Sequence, residues 1–362
     1  MKDSNRNCAR RLVCRVTVFV GALATATWAA SAEAAERQLE TLDRGLIARL
    51  LPDGHVYLGW RLLESDPPDV TFHVYRRAGE SGQPVRITRQ PISRTTDFVD
   101  RSATQVGPSF WFVRPVVDGK ERAPSQTDRV AADEAGRPFV RIRLQDQSTT
   151  FQKVGIADLD GDGRYDFVIK QPNANIDPYI KYWKPSPGTY KLEAYTASGR
   201  FLWRYDLGWA IERGIWYSPY VVYDFDGDGK AEVAVKTGEG DPRDPDGRVR
   251  SGPEYLTILD GVTGRPVTRI DWPSRKPFYD RHGDRAGYNY SSRNQLGVAY
   301  LDGRHPHLIV ERGTYSLIVV VAYRFDGKQL RQVWRWDNTK LGRRWQGQGA
   351  HWMHSADVDG DG

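Results

Sequence analysis

The chain has 362 residues, of which 27% are charged, and a formal net charge of +6 at pH 7. Residues 1–34 hold five of the Lys and Arg residues and two of the Asp and Glu residues, so the chain without them carries only +3. This near-balance argues against a nucleic-acid-binding protein. The many Trp and Tyr residues suit stacking on sugars, although core packing explains them equally well.

The first 34 residues have the pattern of a secretory signal peptide. A basic start that includes Lys2 and Arg15 precedes the apolar run VTVFVGALATATWAA and the small residues SAEAA. The apolar run is too short for a comfortable membrane span, and no later stretch approaches the required length. Both cysteines, Cys8 and Cys14, lie in this segment, so the exported chain has no disulfide. We expect a secreted or periplasmic protein without a membrane anchor.

Residues 38–131 are expected to form a small domain of β-strands. Apolar and polar positions alternate in short runs such as HVYLGW, VTFHVYRR and SFWFVRPVV, which Pro, Gly and Asp residues separate. The order of Trp60, FHVYRR and FWFVRPV resembles a fibronectin type III module. We therefore predict an N-terminal β-sandwich and assign no chemistry to it.

The stretch ADLDGDGRYDFVIK, residues 157–170, has aspartates at alternate positions that repel one another unless a cation lies among them. The spacing matches positions one, three, five, seven and nine of a calcium loop. The predicted ligands are the side chains of Asp158, Asp160, Asp162 and Asp166 and the carbonyl of Arg164. An EF-hand is excluded because position twelve is Ile169 and the flanks KVGIA and DFVIK predict strands. A single copy could also be a solvated acidic turn.

The acidic pattern returns in YDFDGDGKAEVAVK and begins again in ADVDGDG, which makes an accident improbable. The predicted ligands of the second copy are Asp224, Asp226, Asp228, Glu232 and the carbonyl of Lys230; those of the third are Asp357, Asp359 and Asp361. Ca²⁺ is therefore the predicted cofactor. A degenerate copy, AYLDGRHPHLIV, keeps Asp302 but lacks the other acids, so we expect no metal there.

Residues 139–362 contain a longer repeat, in which a hairpin with Gly at its turn follows each complete acidic loop. The turn residues Gly199, Gly264 and Gly327 are 65 and 63 residues apart. Four-stranded sheets repeated at this period, with no amphipathic helix between them, are typical of a β-propeller. About three blades can be counted, whereas propellers close with four to eight, so we expect residues 1–362 to be a fragment with an incomplete ring.

Five segments occur in a fixed order from about residue 38 onward: RGLIARLLPDGHVYLGWRLL, VYDFDGDGKAEVAVKT, SGPEYLTILDG, GVAYLDG and GQGAH. Together they resemble the rhamnogalacturonan lyases of polysaccharide lyase family 11. The resemblance implies an all-β protein, with an N-terminal β-domain and an eight-bladed calcium-binding propeller. It also implies cleavage of rhamnogalacturonan I, the pectin backbone of alternating rhamnose and galacturonate. We expect the complete protein to be a monomer.

Cleavage of such a uronide removes the C5 proton, which is acidic only when the adjacent carboxylate is neutralised. The resemblance places His351, in GQGAH, at an active-site calcium ion; a structural hydrogen bond is the alternative. Asn173 and Glu193 resemble family positions that face the sugar, but each could be a loop or sheet-edge residue. The catalytic base is expected beyond Gly362, so none is named here.

Three basic residues, Lys170, Lys236 and Arg312, follow apolar strands, and we expect them at the surface rather than at the propeller mouth. Three segments, RGTYSLIVV, GYNYSSRNQ and the loop TGEGDPRDPDGRVR after Lys236, depart from the family pattern, so a neighbouring polyuronide and either endo or exo cleavage stay open. The predicted function is a secreted, calcium-assisted lyase acting on rhamnogalacturonan by β-elimination. The alternative is a non-catalytic calcium-binding propeller used for adhesion or glycan binding.

Overall fold

The computed structural model describes residues 37–103, 108–130, 141–338, 341, 345–347, 349 and 351–358. Within these residues the chain forms five antiparallel sheets and very little helix, which confirms the predicted all-β class. The predicted signal peptide lies outside the described residues. In the part of the chain that is described, no helix is long and apolar enough to cross a membrane.

The first eight strands form two sheets that share one apolar core. The three-stranded sheet has the order β1 (Ile47–Leu50), β2 (Val56–Gly59) and β5 (Asp97–Asp100). The five-stranded sheet contains β3 (Thr71–Ala78), β4 (Val85–Arg86), β6 (Ser109–Val117), β7 (Lys120–Glu121) and β8 (Asp128–Arg129). Trp60, Phe72 and Trp111 lie in the common core, and the Trp60 and Phe72 ring centroids are 5.5 Å apart.

Three four-stranded meanders follow, which we call sheets I, II and III. Sheet I contains β9 (Lys153–Ala157), β10 (Asp166–Gln171), β11 (Lys191–Tyr195) and β12 (Phe201–Asp206). Sheet II contains β13 (Tyr220–Tyr223), β14 (Glu232–Gly238), β15 (Glu254–Leu259) and β16 (Pro266–Asp271). Sheet III contains β17 (Asn294–Ala299), β18 (His307–Thr314), β19 (Leu317–Phe325) and β20 (Leu330–Asp337).

The last two strands of each sheet form the hairpins that the sequence predicts. Their turns contain Gly199, Gly264 and Gly327 at φ values of 82°, 67° and 83°, a backbone region that favours glycine. Each hairpin also has one register shift near its turn, between Ala194 and Tyr195 in sheet I and at the corresponding places in sheets II and III. The sequence repeat is therefore a repeat of structure.

The three sheets pack on one another through their faces. Their first strands are neighbours, because β13 lies beside both β9 and β17. One apolar cluster joins sheets I and II, with Leu192 and Val222 among its members, and another joins sheets II and III, with Ile258 and Val310. Each sheet thus buries apolar side chains that it could not cover alone.

A helix interrupts this series between sheets II and III, where the sequence analysis expected none. Helix α1 (Lys276–His282) begins with Pro277 in its first turn and continues into a 3-10 helix (Gly283–Gly287). Its only buried residue is Phe278. The expectation was wrong because a helix of seven residues with one buried side chain shows no repeated apolar positions that the sequence pattern could reveal.

Candidate metal-binding loops and active-site pocket

The β9–β10 and β13–β14 connections are the first two acidic loops. In each loop three carboxylates bring oxygens within 4.8 Å of one another. These residues are Asp158, Asp160 and Asp166 in the first loop and Asp224, Asp226 and Glu232 in the second. Gly163 and Gly229, at φ values of 82° and 87°, turn the backbone so that their N–H groups donate to Asp158 and Asp224, at 2.6 and 3.0 Å. Three of the predicted ligands in each loop therefore lie close together in the structure.

The fifth-position residues lie apart from these clusters. Asp162 and Asp228 are exposed, and their carboxylates accept the backbone N–H groups of Arg164 and Lys230 at 2.9 and 2.8 Å. Buried Oδ1 of Asp160, by contrast, has no hydrogen-bond partner in the described part of the chain. Oxygen donors with an unsatisfied buried oxygen among them suit a hard divalent cation.

Burial and mutual repulsion make the ionised form of the loop carboxyl groups unfavourable. Burial, reinforced by neighbouring carboxylates, raises the pKa of Asp166 to about 6 and that of Glu232 to about 9. The same two causes raise the pKa values of Asp158 and Asp224, against the hydrogen bonds from backbone N–H groups. A bound cation would relieve this repulsion.

The third and the degenerate copies differ from the first two. Asp357 is exposed, and its partners in the motif, Asp359 and Asp361, lie outside the described residues. In the degenerate copy the carboxylate of Asp302 accepts hydrogen bonds from the backbone N–H groups of Arg304 and His305. It also lies 2.7 Å from Nδ1 of His305. Backbone and side-chain groups of the protein thus occupy the carboxylate of Asp302, and the absence of a metal there stays a prediction.

A pocket of about 550 Å³ lies at the opposite end of the strands from the acidic loops. Strand β10 runs from the first acidic loop to the β10–β11 connection, which supplies Asp177, Tyr179 and Tyr182 to the pocket wall. Further lining comes from the segment before β17, from the β18–β19 turn and from His351. Five tyrosines, two arginines, one histidine and one aspartate thus line a single cavity, so aromatic rings and a few polar groups converge there.

Tyr315, in the β18–β19 turn, gives the pocket a rigid wall. Its φ is 62°, a left-handed conformation that is unfavourable for a bulky side chain. The N–H of Gly347 donates to its carbonyl at 2.7 Å. Its ring meets Tyr290 edge to face at 6.3 Å, and Tyr290 stacks on His282 at 4.0 Å. The unusual backbone therefore holds an aromatic ring against the cavity.

His351 lies in this pocket, where the family resemblance expects an active-site residue. Its side chain is exposed, and its ring contacts Trp216 edge to face at 5.6 Å. Among the described residues no group of three His, Cys, Asp or Glu ligand atoms surrounds it. Metal binding by His351 accordingly stays a prediction.

A cluster of charged side chains at the pocket end of the strands includes Glu254 of the SGPEYLTILDG motif. The carboxylate of Glu254 lies 2.8 Å from Nζ of Lys236, 2.9 Å from Nε of Arg275 and 2.5 Å from Nη1 of Arg312. These cations, Arg312 foremost, hold the pKa of Glu254 far below its usual range despite burial. The motif residue is therefore the counter-ion of three basic side chains.

The surface expectation for three basic residues was wrong. Lys170, Lys236 and Arg312 are 1%, 5% and 2% exposed. Lys170 donates to the carbonyl of Ser218 at 2.7 Å, and its Nζ lies 5.0 Å from the Tyr190 ring centroid. Burial of the ammonium group lowers the pKa of Lys170 to about 7. Their partners come from distant strands and loops, which position in the sequence does not reveal.

The two predicted sugar-facing residues lie outside the pocket lining. Asn173 is exposed on the β10–β11 connection, and its backbone N–H donates to the carbonyl of Thr150 at 2.7 Å. Glu193 is fully buried in β11, where it accepts hydrogen bonds from Nε of Arg204 at 2.6 Å and from the Tyr195 hydroxyl at 2.5 Å. These contacts give Glu193 a structural role, and substrate contact by either residue stays a prediction.

Apart from His351, the pocket residues were missed by the sequence analysis. Tyr288, Asn289, Tyr290 and Arg293 all belong to GYNYSSRNQ, and Tyr315 belongs to RGTYSLIVV. These are two of the three segments that depart from the family pattern. The third, TGEGDPRDPDGRVR, contributes no residue to the pocket lining, so the departures were only a partial signal.

Comparison with known proteins identifies the family. The model for rhamnogalacturonan lyase family 11, C-terminal domain, matches residues 144–362, and the model for the rhamnogalacturonan I lyase beta-sheet domain matches residues 37–131. The chain therefore belongs to the family 11 rhamnogalacturonan lyases, as the resemblance in its motifs indicates.

Two relatives come from Bacillus subtilis strain 168. The chain is 36% identical to rhamnogalacturonan exolyase YesX, over 90% of the chain and 55% of the relative, and 35% identical to rhamnogalacturonan endolyase YesW, over 98% and 58%. Its structure matches the crystal structure of YesX with a TM-score of 0.76 at 34% identity, covering 90% of the chain and 56% of that structure. It matches the crystal structure of YesW with a TM-score of 0.78 at 36% identity, covering 90% of the chain and 58% of that structure. A Bacillus licheniformis family 11 lyase gives a TM-score of 0.78 at 35% identity, with coverage of 90% and 58%. The chain thus spans little more than half the length of these relatives.

Proposed function

We propose that this protein cleaves the backbone of rhamnogalacturonan I by β-elimination. Family membership and the names of both Bacillus subtilis relatives support this reaction class. The observation that carries the proposal is the pocket at the strand ends, where tyrosine rings, Arg285, Arg293 and His351 meet. Rings suit the faces of sugars, and cations suit the carboxylate of galacturonate.

The pocket residues have separate tasks in this reaction. Removal of the C5 proton creates negative charge on the adjacent carboxylate, so a cation beside that group lowers the barrier. Arg285 and Arg293 bring positive charge to the cavity, and the rings of Tyr179 and Tyr182, 46% and 62% exposed, offer stacking surfaces at its edge. We assign no catalytic base among the described residues.

The proposed architecture is a β-sandwich over residues 38–131 followed by a propeller domain over residues 139–362. Three successive four-stranded meanders with adjacent first strands support a propeller arrangement. The outer face of sheet I also has exposed apolar side chains, Val154 at 38% and Ile156 at 50%, as expected where another blade would pack. Eight blades remain the number that the family resemblance implies.

Ca²⁺ is the proposed cofactor, because the oxygen-only clusters of the two complete acidic loops suit it better than softer ions. The first loop would hold it through Asp158, Asp160 and Asp166. When bound there, the ion would supply charge compensation and stabilise the connections between strands. Secretion through the signal peptide and a monomeric state belong to the same proposal.

The test is a mixture of the full-length protein with rhamnogalacturonan I and calcium, followed by ultraviolet absorbance of the unsaturated uronate product. We expect absorbance to rise with native protein and not with polygalacturonate as the substrate. Retained binding of rhamnogalacturonan without any absorbance would instead support the non-catalytic adhesion function.

A further inference from the structure

Arg293 is the most unusual charged side chain in the pocket. It precedes β17, is 4% exposed, and lines the cavity together with Tyr315 and His351. Its Nε donates to Oδ1 of Asn289 at 2.7 Å. Its Nη1 is buried, and no hydrogen-bond acceptor meets it in the described part of the chain. Because a buried guanidinium N–H without an acceptor is unfavourable, this position suits an acceptor that enters through the pocket.

Two aromatic rings hold the guanidinium group in place. Its central carbon lies 4.8 Å from the Trp216 ring centroid and 5.9 Å from that of Tyr315. The Trp216 ring also contacts the ring of His351, which lines the same cavity. The nearby rings and the Asn289 hydrogen bond restrict the guanidinium group, so its remaining donors have a limited range of directions.

Glu311 is a buried acidic group whose charge interacts with that of Arg293. It lies on β18 and pairs with Gln295 of β17, and Gln295 follows Arg293 by two residues. Glu311 is 4% exposed. Its Oε2 is buried without a hydrogen-bond partner among the described residues, so the two side chains are near each other without a direct bond. Burial raises the pKa of Glu311 to about 7. Since no ion pair joins the two side chains among the described residues, Nη1 of Arg293 is left with its hydrogen-bonding capacity unused.

We propose that Arg293 binds the carboxylate of a uronic acid residue of the substrate and so selects acidic over neutral sugars. This assignment rests on the proposed function, because it takes a pectic saccharide as the ligand. A planar carboxylate accepts hydrogen bonds from the guanidinium fork, which the hydroxyl groups of a neutral sugar match poorly. The residue acts in binding and specificity, and no proton transfer is assigned to it.

The experiment compares two ligands on the full-length protein by isothermal titration calorimetry at constant calcium. One ligand is the disaccharide of galacturonate linked to rhamnose, which cannot be cleaved because its galacturonate has no sugar at O4. The other is the same disaccharide with its carboxyl group reduced to an alcohol. Native protein is expected to prefer the acidic ligand by about 10-fold to 100-fold, the range of a charge-assisted hydrogen bond.

Arg293→Gln should reduce this preference to about threefold or less, because the charge and the fork are both lost. Arg293→Lys should retain part of it, since the charge remains without the fork. The ratio of the two affinities is insensitive to a partly unfolded sample, because unfolding weakens both ligands equally. If Arg293→Gln does not fold by circular dichroism, the Lys variant decides, with at least a threefold loss of preference expected.

Arg281→Gln is the matched control. Arg281 is an exposed arginine outside the pocket lining whose Nη2 donates to Gln346 Oε1 at 2.9 Å, and its substitution removes the same charge. It should keep the native preference. Full preference in Arg293→Gln, or equal binding of both ligands by native protein, would overturn the Arg293 assignment and leave the proposed function standing. Native protein that neither binds these ligands nor cleaves rhamnogalacturonan I would overturn the proposed function itself.

Discussion

The two ends of sheets I to III handle buried charge in opposite ways. At the acidic end, the carboxylates of the first loop have one ion pair among the described residues, between Arg200 and Asp160 at 3.9 Å. At the pocket end, three cations lie within 2.9 Å of the partly buried carboxylate of Glu254. The carboxylates of the first acidic loop are therefore left largely for an external cation to compensate, whereas the carboxylate of Glu254 is compensated by basic side chains of the chain itself.

Removal of calcium should have the largest effect on stability. Two sites, each at about 100 times its dissociation constant, contribute roughly 5 kcal/mol, which corresponds to a melting temperature change of the order of 10 °C. Calorimetric melting curves in calcium and in EDTA measure the change, and magnesium in place of calcium is the control. Coincident curves would contradict metal binding by the acidic loops.

Glu254→Gln should destabilise the pocket end by about 3–5 kcal/mol, because it leaves three cations without their common counter-ion. The matched control is Glu239→Gln, which breaks an exposed ion pair with Arg269 of 2.5 Å and should cost about 1 kcal/mol or less. Urea unfolding of the two variants gives both values. Similar losses would mean that the Glu254 cluster contributes no more than a surface pair.

His351→Ala should lower lyase activity by about tenfold or more, equivalent to at least 1.4 kcal/mol of activation free energy. The melting temperature should change little, because the side chain is exposed. His305→Ala, at the degenerate loop away from the pocket, is the control and should retain activity. A large loss of stability with unchanged activity per folded molecule would make His351 a structural residue.

The smallest effect concerns pH in the absence of calcium. The pKa values of Asp166 and Glu232 are raised in the folded protein, to about 6 and about 9, so the folded state binds protons more tightly than the unfolded state. Stability in EDTA should therefore fall as pH rises from about 5 to 9, which a lower melting temperature at the higher pH would show. Glu232→Gln should flatten this slope. A metal-free protein that becomes more stable over the same range would contradict the repulsion inferred at the loops.

The sequence predicted the parts of the fold that rest on local signals. The strands beside Asp158 and Asp224 and the glycine turns of the three hairpins each need only a short stretch of chain. The burial of Arg312 could not be predicted, because its partner Glu254 is 58 residues away in the chain. Helix α1 was missed because a single buried residue, Phe278, sets its position.

The acidic loops could be predicted from the sequence, whereas most of the pocket could not. The acidic loops have ligands within nine residues of one another, and their spacing alone suggests a metal. The pocket draws on residues from Asp177 to His351, so only a family motif could point to His351. The structural context of Arg293, between Trp216 and Tyr315, depends on three separate loops that no local pattern relates.

The most direct test of the division between a metal-stabilised end and a substrate-binding end is a crystal structure of the full-length protein with calcium and the uncleavable disaccharide. We expect calcium among the carboxylates of the two complete acidic loops, and the sugar in the pocket with its carboxylate at Arg293. Empty acidic loops, or a sugar bound elsewhere with the pocket filled by solvent, would contradict the account.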